Sequence, residues 1–484
     1  MAERVKNYVN GEWVESSAES TTPVVNPATC ELMAETPHST RQEVDAAAEA
    51  AYEAFLEWRQ TPVVKRVRYL HNFKTLLEEN FEELSQTVVK ENGKTMDEAR
   101  GEVLRGIESV EFAFGVPSLM TGFKVEDIAA GIDETAERQP LGVFAALTPF
   151  NFPMMVPLWF LPTAIACGNT YIVKPSPMTP LSMNLVFELL EESGLPEGVV
   201  NLVHGDAGTA TAVMEHPLIK GVSFVGSTHV GKIVYETCAR YGKRVQVQGG
   251  AKNYLAVMPD ADLEKSVANI LGSAYGCAGQ RCLAGSVLVA VGDVYEPLRD
   301  AIKEAAAKLK VGYGLDPETQ MGTVVSAQAK NRIEGMIQKG VDEGAEILLD
   351  GRNVKIDGFE DGNFVGPTIF DKVTPSMSIA REEIFGPVLS IMHVPDFETA
   401  VDTINASRYG NAASIFTNNG HYAREFKYRV NAGNIGVNIG VAAAAAWFPF
   451  GGQKDSFFGD THGQGPDSIQ FFTDHKVIVE RWFE

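Results

Sequence analysis

Residues 141–176 read LGVFAALTPFNFPMMVPLWFLPTAIACGNTYIVKPS, and their pattern decides the fold class. Two short β-rich runs, GVFAAL (142–147) and NTYIVKP (169–175), flank the apolar stretch Phe152–Cys167. Short strand-like runs alternating with longer helical ones are how βαβ units read. The alternation continues through VVNLV (199–203), GVSFV (221–225) and RVQV (244–247). A second series follows from YLAVM (254–258) through SVLVAV (286–291), AEILLD (345–350), NAASIFT (411–417) and NIGVN (434–438). An α/β chain of two doubly wound domains, changing over near Gly250, accounts for both series.

Upstream, strand residues on both sides of Asn10-Gly11 predict a hairpin with a type I′ turn. A helix begins at Thr40, with Glu43 completing a capping box and Val44, Ala47, Ala48, Ala51, Tyr52 and Phe55 at helical spacing. At the other end, SIQFFTDHKVIVERWFE finishes in a strand-like alternation suited to pairing with another subunit.

The 484 residues are enough to bury a deep site. With 41 basic and 63 acidic residues the net charge is −22, and no basic run interrupts it, which argues against nucleic acid as a partner. Phe152–Cys167 is broken by Pro153, Pro157 and Pro162 and is too short to span a membrane, so no membrane partner is expected. Five thinly spread cysteines and an N-terminus without an apolar signal core point to a reducing, cytoplasmic setting.

Two of those cysteines lie in GCAGQRCLAG, Gly276–Gly285. Their C-x4-C spacing is not that of a zinc site, and the nine histidines form no H-E-x-x-H pair, so no metal is expected. A thiolate nucleophile needs positive potential or backbone N–H groups beside it, and Arg281 with small neighbours allows both at Cys282. Cys277 closes the predicted helix Leu263–Cys277 and reads as core packing. Asn151, in TPFNFP just beyond a strand end, is placed to donate to an oxyanion or to cap its own turn. FVGSTHVGK (224–232) runs from a strand through small residues into a helix, a turn that admits dinucleotide phosphates without being a G-x-G-x-x-G fingerprint.

In order and spacing, TPFNFP, VKPS (173–176), FVGST (224–228), GQRC (279–282), EEIFGPV (382–388) and FPFGG (448–452) resemble the NAD(P)-dependent aldehyde dehydrogenase superfamily. The resemblance covers essentially the whole chain. It implies a Rossmann-like dinucleotide-binding domain of residues 1–122 and 143–250 and a catalytic domain of residues 251–464. Residues 123–142 and 465–484 would then form a β-rich oligomerisation arm joining homodimers or homotetramers. It also implies Cys282 as nucleophile, Asn151 as oxyanion donor, and Phe150, Lys174, Gly226, Ser227, Glu383 and Phe385 as cofactor contacts.

The hydrolytic members of that superfamily use a Glu in an ELGGK motif to activate water. Here the stretch is VQVQGGAKN (245–253), with Gln248 in that place, and the second family carboxylate falls on Gly463 in THGQGP. An amide takes no proton from water. The same loss marks the methylmalonate-semialdehyde dehydrogenase branch, which releases its acyl group to coenzyme A, and FNFPMMVP, GAKN and FPFGGQKDSFFG match it too. By that resemblance Arg105 and Arg281 bind the carboxylate of a small semialdehyde. The alternative is a hydrolytic enzyme with a replaced base. Arg105 also stands at i+3 from Glu102 and i−3 from Glu108, where an ion pair accounts for it equally well. Relatives using NAD often read KPSE, whereas Pro177 follows KPS here and cannot hold ribose hydroxyls, so NADP stays open beside NAD. The bland loop GVAAAAAW (440–447) relaxes the demand for any one short semialdehyde.

Overall fold

The runs beyond residue 141 have no polar face and must be covered on both sides. The computed structural model, which describes residues 3–483, shows how this is done. Strands Val200–Leu202, Thr170–Lys174, Val143–Leu147, Ile219–Val225 and Arg244–Gln248 lie side by side and parallel. Helices Met96–Ala113, Met155–Ala166 and Leu181–Glu192 cover one face, and Arg41–Trp58, Ala207–Glu215 and Thr228–Arg240 the other. Strand order reverses between Val143–Leu147 and Ile219–Val225. Such a switch point opens a crevice beyond the carboxyl ends of the strands, which is where TPFNFP and FVGST emerge.

The predicted hairpin forms with Asn10 and Gly11 at φ 53° and 82°, and it joins one edge of this sheet through Tyr8 and Leu202. Phe457–Gly459 closes the other edge, antiparallel to Arg244–Gln248. Thr40 caps Arg41–Trp58 with the full reciprocal box to Glu43.

The second sheet has six parallel strands and the antiparallel edge Glu346–Leu349. Two of its members, Thr368–Asp371 and Val388–Val394, are absent from the alternation read in the sequence. Short apolar runs between loops carry no periodicity of their own, and Val388–Val394 becomes a strand because Gly285–Val291 offers it a ladder.

The C-terminal alternation does not wait for another subunit. Thr473–Arg481 pairs along its whole length with Ile132–Pro140 of the same chain, and Phe123–Ala129 completes a three-stranded arm. Just before it, the helix Gly465–Phe472 turns inward, with Phe471 and Phe472 edge-on to Phe144 in the core of the first sheet. No described helix is long and apolar enough to cross a membrane.

Candidate active site

Beyond the switch point lies a cavity of about 800 Å³. Phe150, Asn151, Lys174, Gly226, Ser227, Glu383 and Phe385 all line it, and so does Cys282. At one end an apolar groove runs between helices Ala207–Glu215 and Thr228–Arg240, floored by Ala210 and Met214 and walled by the half-exposed Val230 and Ile233. Beside it, buried Lys174 donates to the carbonyls of Pro175 (2.8 Å) and Gly205 (2.7 Å), and burial lowers its ammonium pKa to about 8. Asp206 lines the same end, caps its helix through Gly208 and opposes that lowering. Phe150 meets Phe385 edge-on at 5.9 Å.

Glycines decide how close the walls approach. A Cβ on Gly226 would stand 2.5 Å from the Phe224 ring, and one on Gly250 would stand 2.6 Å from Glu383 Oε2. Glu383 therefore reaches across the cavity only because residue 250 has no side chain. Its Oε1 accepts from the Ala251 N–H at 3.0 Å, and burial raises its pKa to about 7, with Lys252 and Arg332 pulling the other way. Lys252 is missed by sequence reading: it is buried, its Nζ has no partner, and burial lowers it to about 8.

The Cys282 turn is held from several directions. The helix Leu263–Tyr275 stops two residues before Cys277, and Cys277 and Ala278 then take φ of 51° and 50°, a left-handed conformation that costs a side-chain-bearing residue of order 1–3 kcal/mol. The Cys282 carbonyl accepts from Asn253 Nδ2 and Asn411 Nδ2, each at 2.8 Å. Asn151 Nδ2 donates to the Gln280 carbonyl at 3.0 Å, so the candidate oxyanion donor is tied to the same turn as the candidate nucleophile. Burial and then Glu383 push the Cys282 thiol up to about 12, while the N–H groups of Cys282 and Leu283 and the Arg281 cation act against this.

A second cavity, about 430 Å³, opens on the other side of Cys282, which alone among the described residues lines both. Arg105, from helix Met96–Ala113, and Arg281 both face it. Each guanidinium already has a carboxylate: Arg105 with Glu108 at 2.8 Å and Arg281 with Glu98 at 3.6 Å. Cys277 is more than packing, since its Sγ accepts from Arg281 Nε at 3.2 Å and its N–H donates to Glu98 Oε1 at 2.5 Å. Glu98 is the N3 member of a capping box with Thr95, a pattern visible in TMDE (95–98) whose reach to the turn is not. Glu102 points inward, pairs with buried Lys94 and accepts the N–H groups of Met154 and Met155 at 3.0 and 3.2 Å. It thereby fixes the start of the helix that forms the opposite, apolar wall. Gln464, at φ 64°, is buried with its Oε1 unpartnered and also lines this cavity.

The profile of the aldehyde dehydrogenase family matches residues 13–478. The chain belongs to that family. It is similar to the malonate-semialdehyde dehydrogenase of Halalkalibacterium halodurans, 48% identical over 480 residues that cover 99% of both chains. Malonate-semialdehyde dehydrogenase 1 of Geobacillus kaustophilus is 49% identical over 478 residues, covering 99% of this chain and 98% of its own. Among solved structures, the methylmalonate-semialdehyde dehydrogenase of Oceanimonas doudoroffii superposes with a TM-score of 0.98 at 43% identity, covering 100% of this chain and 99% of its own. A Sinorhizobium meliloti protein solved in complex with NAD gives 0.99 at 41% identity, with coverage of 100% and 99%.

Within this aldehyde dehydrogenase, Gln248 and Gly463, the two positions read as lacking the hydrolytic carboxylates, face each other. A Cβ on Gly463 would stand 3.3 Å from Gln248 Nε2. The Gln248 amide is buried, has no hydrogen-bond partner at either end and lines neither cavity.

Proposed function

We propose that the protein oxidises malonate semialdehyde and methylmalonate semialdehyde with NAD+ and coenzyme A, releasing CO2 and giving acetyl-CoA and propanoyl-CoA. The observation that carries this reading is the place of Cys282, shared between a dinucleotide-sized cavity and one walled by two arginines. The larger cavity suits the cofactor. Its apolar groove matches a flat base, its glycines admit a close approach, and Ser227 caps the N-terminus of the Thr228–Arg240 helix. Phe150, Lys174, Gly226, Ser227, Glu383 and Phe385 would hold it there. Asp206, beside Lys174, disfavours the added phosphate of NADP and supports NAD.

In this reading Arg105 and Arg281 share their donors between Glu108, Glu98 and the substrate carboxylate, which a five-donor guanidinium can do. Cys282 Sγ passes its proton to solvent and adds to the aldehyde carbon. The oxygen of that adduct, as its charge develops, takes hydrogen bonds from Asn151 Nδ2 and the Cys282 N–H. NAD+ supplies the hydride acceptor when bound. Cys282 is left carrying a thioester. No carboxylate at 248 or 463 activates water, whereas a thiol of ordinary pKa, about 8.5, needs little help to displace the acyl group. The substrate carboxylate lies β to a thioester carbonyl and departs as CO2, its electron pair passing into an enolate.

Following NADH formation with and without CoA tests this, with mass spectrometry of the products. Strict dependence on CoA and acyl-CoA products are expected. Equal steady rates without CoA, giving free acid, would make the enzyme hydrolytic.

Residues 1–122 and 143–250 on this reading form the cofactor domain and 251–464 the catalytic domain. The arm supports a homodimer or homotetramer, because Phe123, Val125, Ile128, Val477 and Val479 stand exposed on it. Five cysteines, all unpaired, suit the cytoplasm.

A further inference from the structure

The smaller cavity, open to solvent on one side, has more room than the substrates just named would fill. At about 30 Å³ per water, its 430 Å³ correspond to roughly fourteen waters. Malonate semialdehyde has six non-hydrogen atoms and fills roughly 180 Å³ on the same scale. On the proposed function both of its functional ends are held, the aldehyde carbon at Cys282 and the carboxylate at Arg105 and Arg281, all three of which line the cavity. The facing wall is apolar, built from Phe152, Met155, Trp159 and Phe450. Between wall and arginines, the loop after Gly440 contributes Ala443, Ala444 and Ala446, none of which extends past Cβ. The one part of a 3-oxopropanoate free to turn toward that wall is a substituent on C2.

Resting on the proposed function, we infer that the cavity takes 3-oxopropanoates whose C2 branch is larger than methyl, up to about propyl. The chemistry is unchanged by the branch. R–CH(COO⁻)–CHO, NAD+ and CoA–SH give R–CH₂–CO–S–CoA, CO₂ and NADH. The C2–COO⁻ bond breaks, its electron pair is protonated at C2, and hydride leaves the aldehyde carbon, so atoms and charge balance. Each buried methylene contributes about 0.8 kcal/mol, a factor of about four in kcat/KM.

The test is a substrate series on the unmodified enzyme with hydrogen, methyl, ethyl and propyl at C2. Butanoyl-CoA and pentanoyl-CoA are expected from the last two, with kcat/KM rising about fourfold at each added carbon. Ala444→Phe, checked for an unshifted Tm, reverses the order by filling the space. If methylmalonate semialdehyde yields propanoyl-CoA but the ethyl compound is slower, the inference is wrong and the proposed function stands. Should no member of the series yield an acyl-CoA, both fall together.

Discussion

The two cavities that meet at Cys282 are built in different ways. The larger, proposed for the cofactor, is built around strand ends and the turns that follow them, Leu147 to Asn151, Lys174 to Pro177, Phe224 to Ser227, Gly249 and Gly250, and is completed by two helix faces with Glu383 and Phe385. Each strand-end piece is a short contiguous motif whose place follows from its strand. The smaller cavity, proposed for the substrate, is gathered from helix Met96–Ala113, the Met155–Ala166 helix, the 277–283 turn, the loop after Gly440 and Gln464. Its charges come already paired, Arg105 with Glu108, Arg281 with Glu98 and Lys94 with Glu102. A site made of strand ends can be recognised one motif at a time, while a site gathered from distant helices is defined by its pairings.

The junction itself gives the largest expected effect. Cys282→Ala removes turnover by on the order of 10⁴-fold or more, while NAD+ binding measured by calorimetry persists, because only one residue is common to both cavities. Lost NAD+ binding would mean that the two cavities are not separable. Asn151→Ala lowers kcat by about 10²- to 10³-fold with little change in KM, as stopped-flow measurement of the hydride step will show. A change confined to KM would remove Asn151 from the oxyanion role.

Arg281→Ala addresses chiefly the smaller cavity, with a lesser effect on the Cys282 thiol. Loss of a charged hydrogen bond, about 1.5–3 kcal/mol, raises KM for a carboxylate-bearing semialdehyde about 10- to 100-fold and leaves propanal much less affected. Equal effects on both aldehydes would reduce Arg281 to a partner of Glu98 and Cys277.

The smallest effect crosses the junction. With the Cys282 thiol pushed up to about 12, its alkylation by iodoacetamide rises about tenfold per pH unit above pH 8, since the thiolate fraction does so. Glu383, at about 7, is charged above that pH and holds the thiol up. Glu383→Gln therefore speeds alkylation about three- to tenfold at pH 8, and the two proteins converge by pH 6, where the carboxyl is protonated. Parallel profiles over the whole range would show that Glu383 and Cys282 do not communicate.

The capping boxes, the hairpin and most strands could be read from residue order because their causes are local: Thr40 with Glu43, Asn10 with Gly11, apolar runs bounded by turns. Val388–Val394 could not, since a seven-residue apolar run becomes a strand only where a neighbouring edge exists. Glu98 and Cys277 escaped for a related reason. A capping-box Glu and a cysteine near a helix end have ordinary local roles, and their contact spans 179 positions in sequence. The C-terminal strand could be seen as a strand, but its partner inside the chain could not.

By itself, then, the order of residues determined the α/β alternation, the motifs at the strand ends, a cysteine at 282 flanked by Arg281 and small residues, and the absence of a carboxylate at 248 and 463. These depend on residue type and on contacts within a few positions. Tertiary structure decided that Arg105 and Arg281 share a cavity, that each is matched by a carboxylate, and that Gly250 leaves room for Glu383 in the cavity that Cys282 also lines. It also decided how much room lies beside Arg105 and Arg281, because a volume is fixed by which distant walls meet and no single stretch of chain contains it.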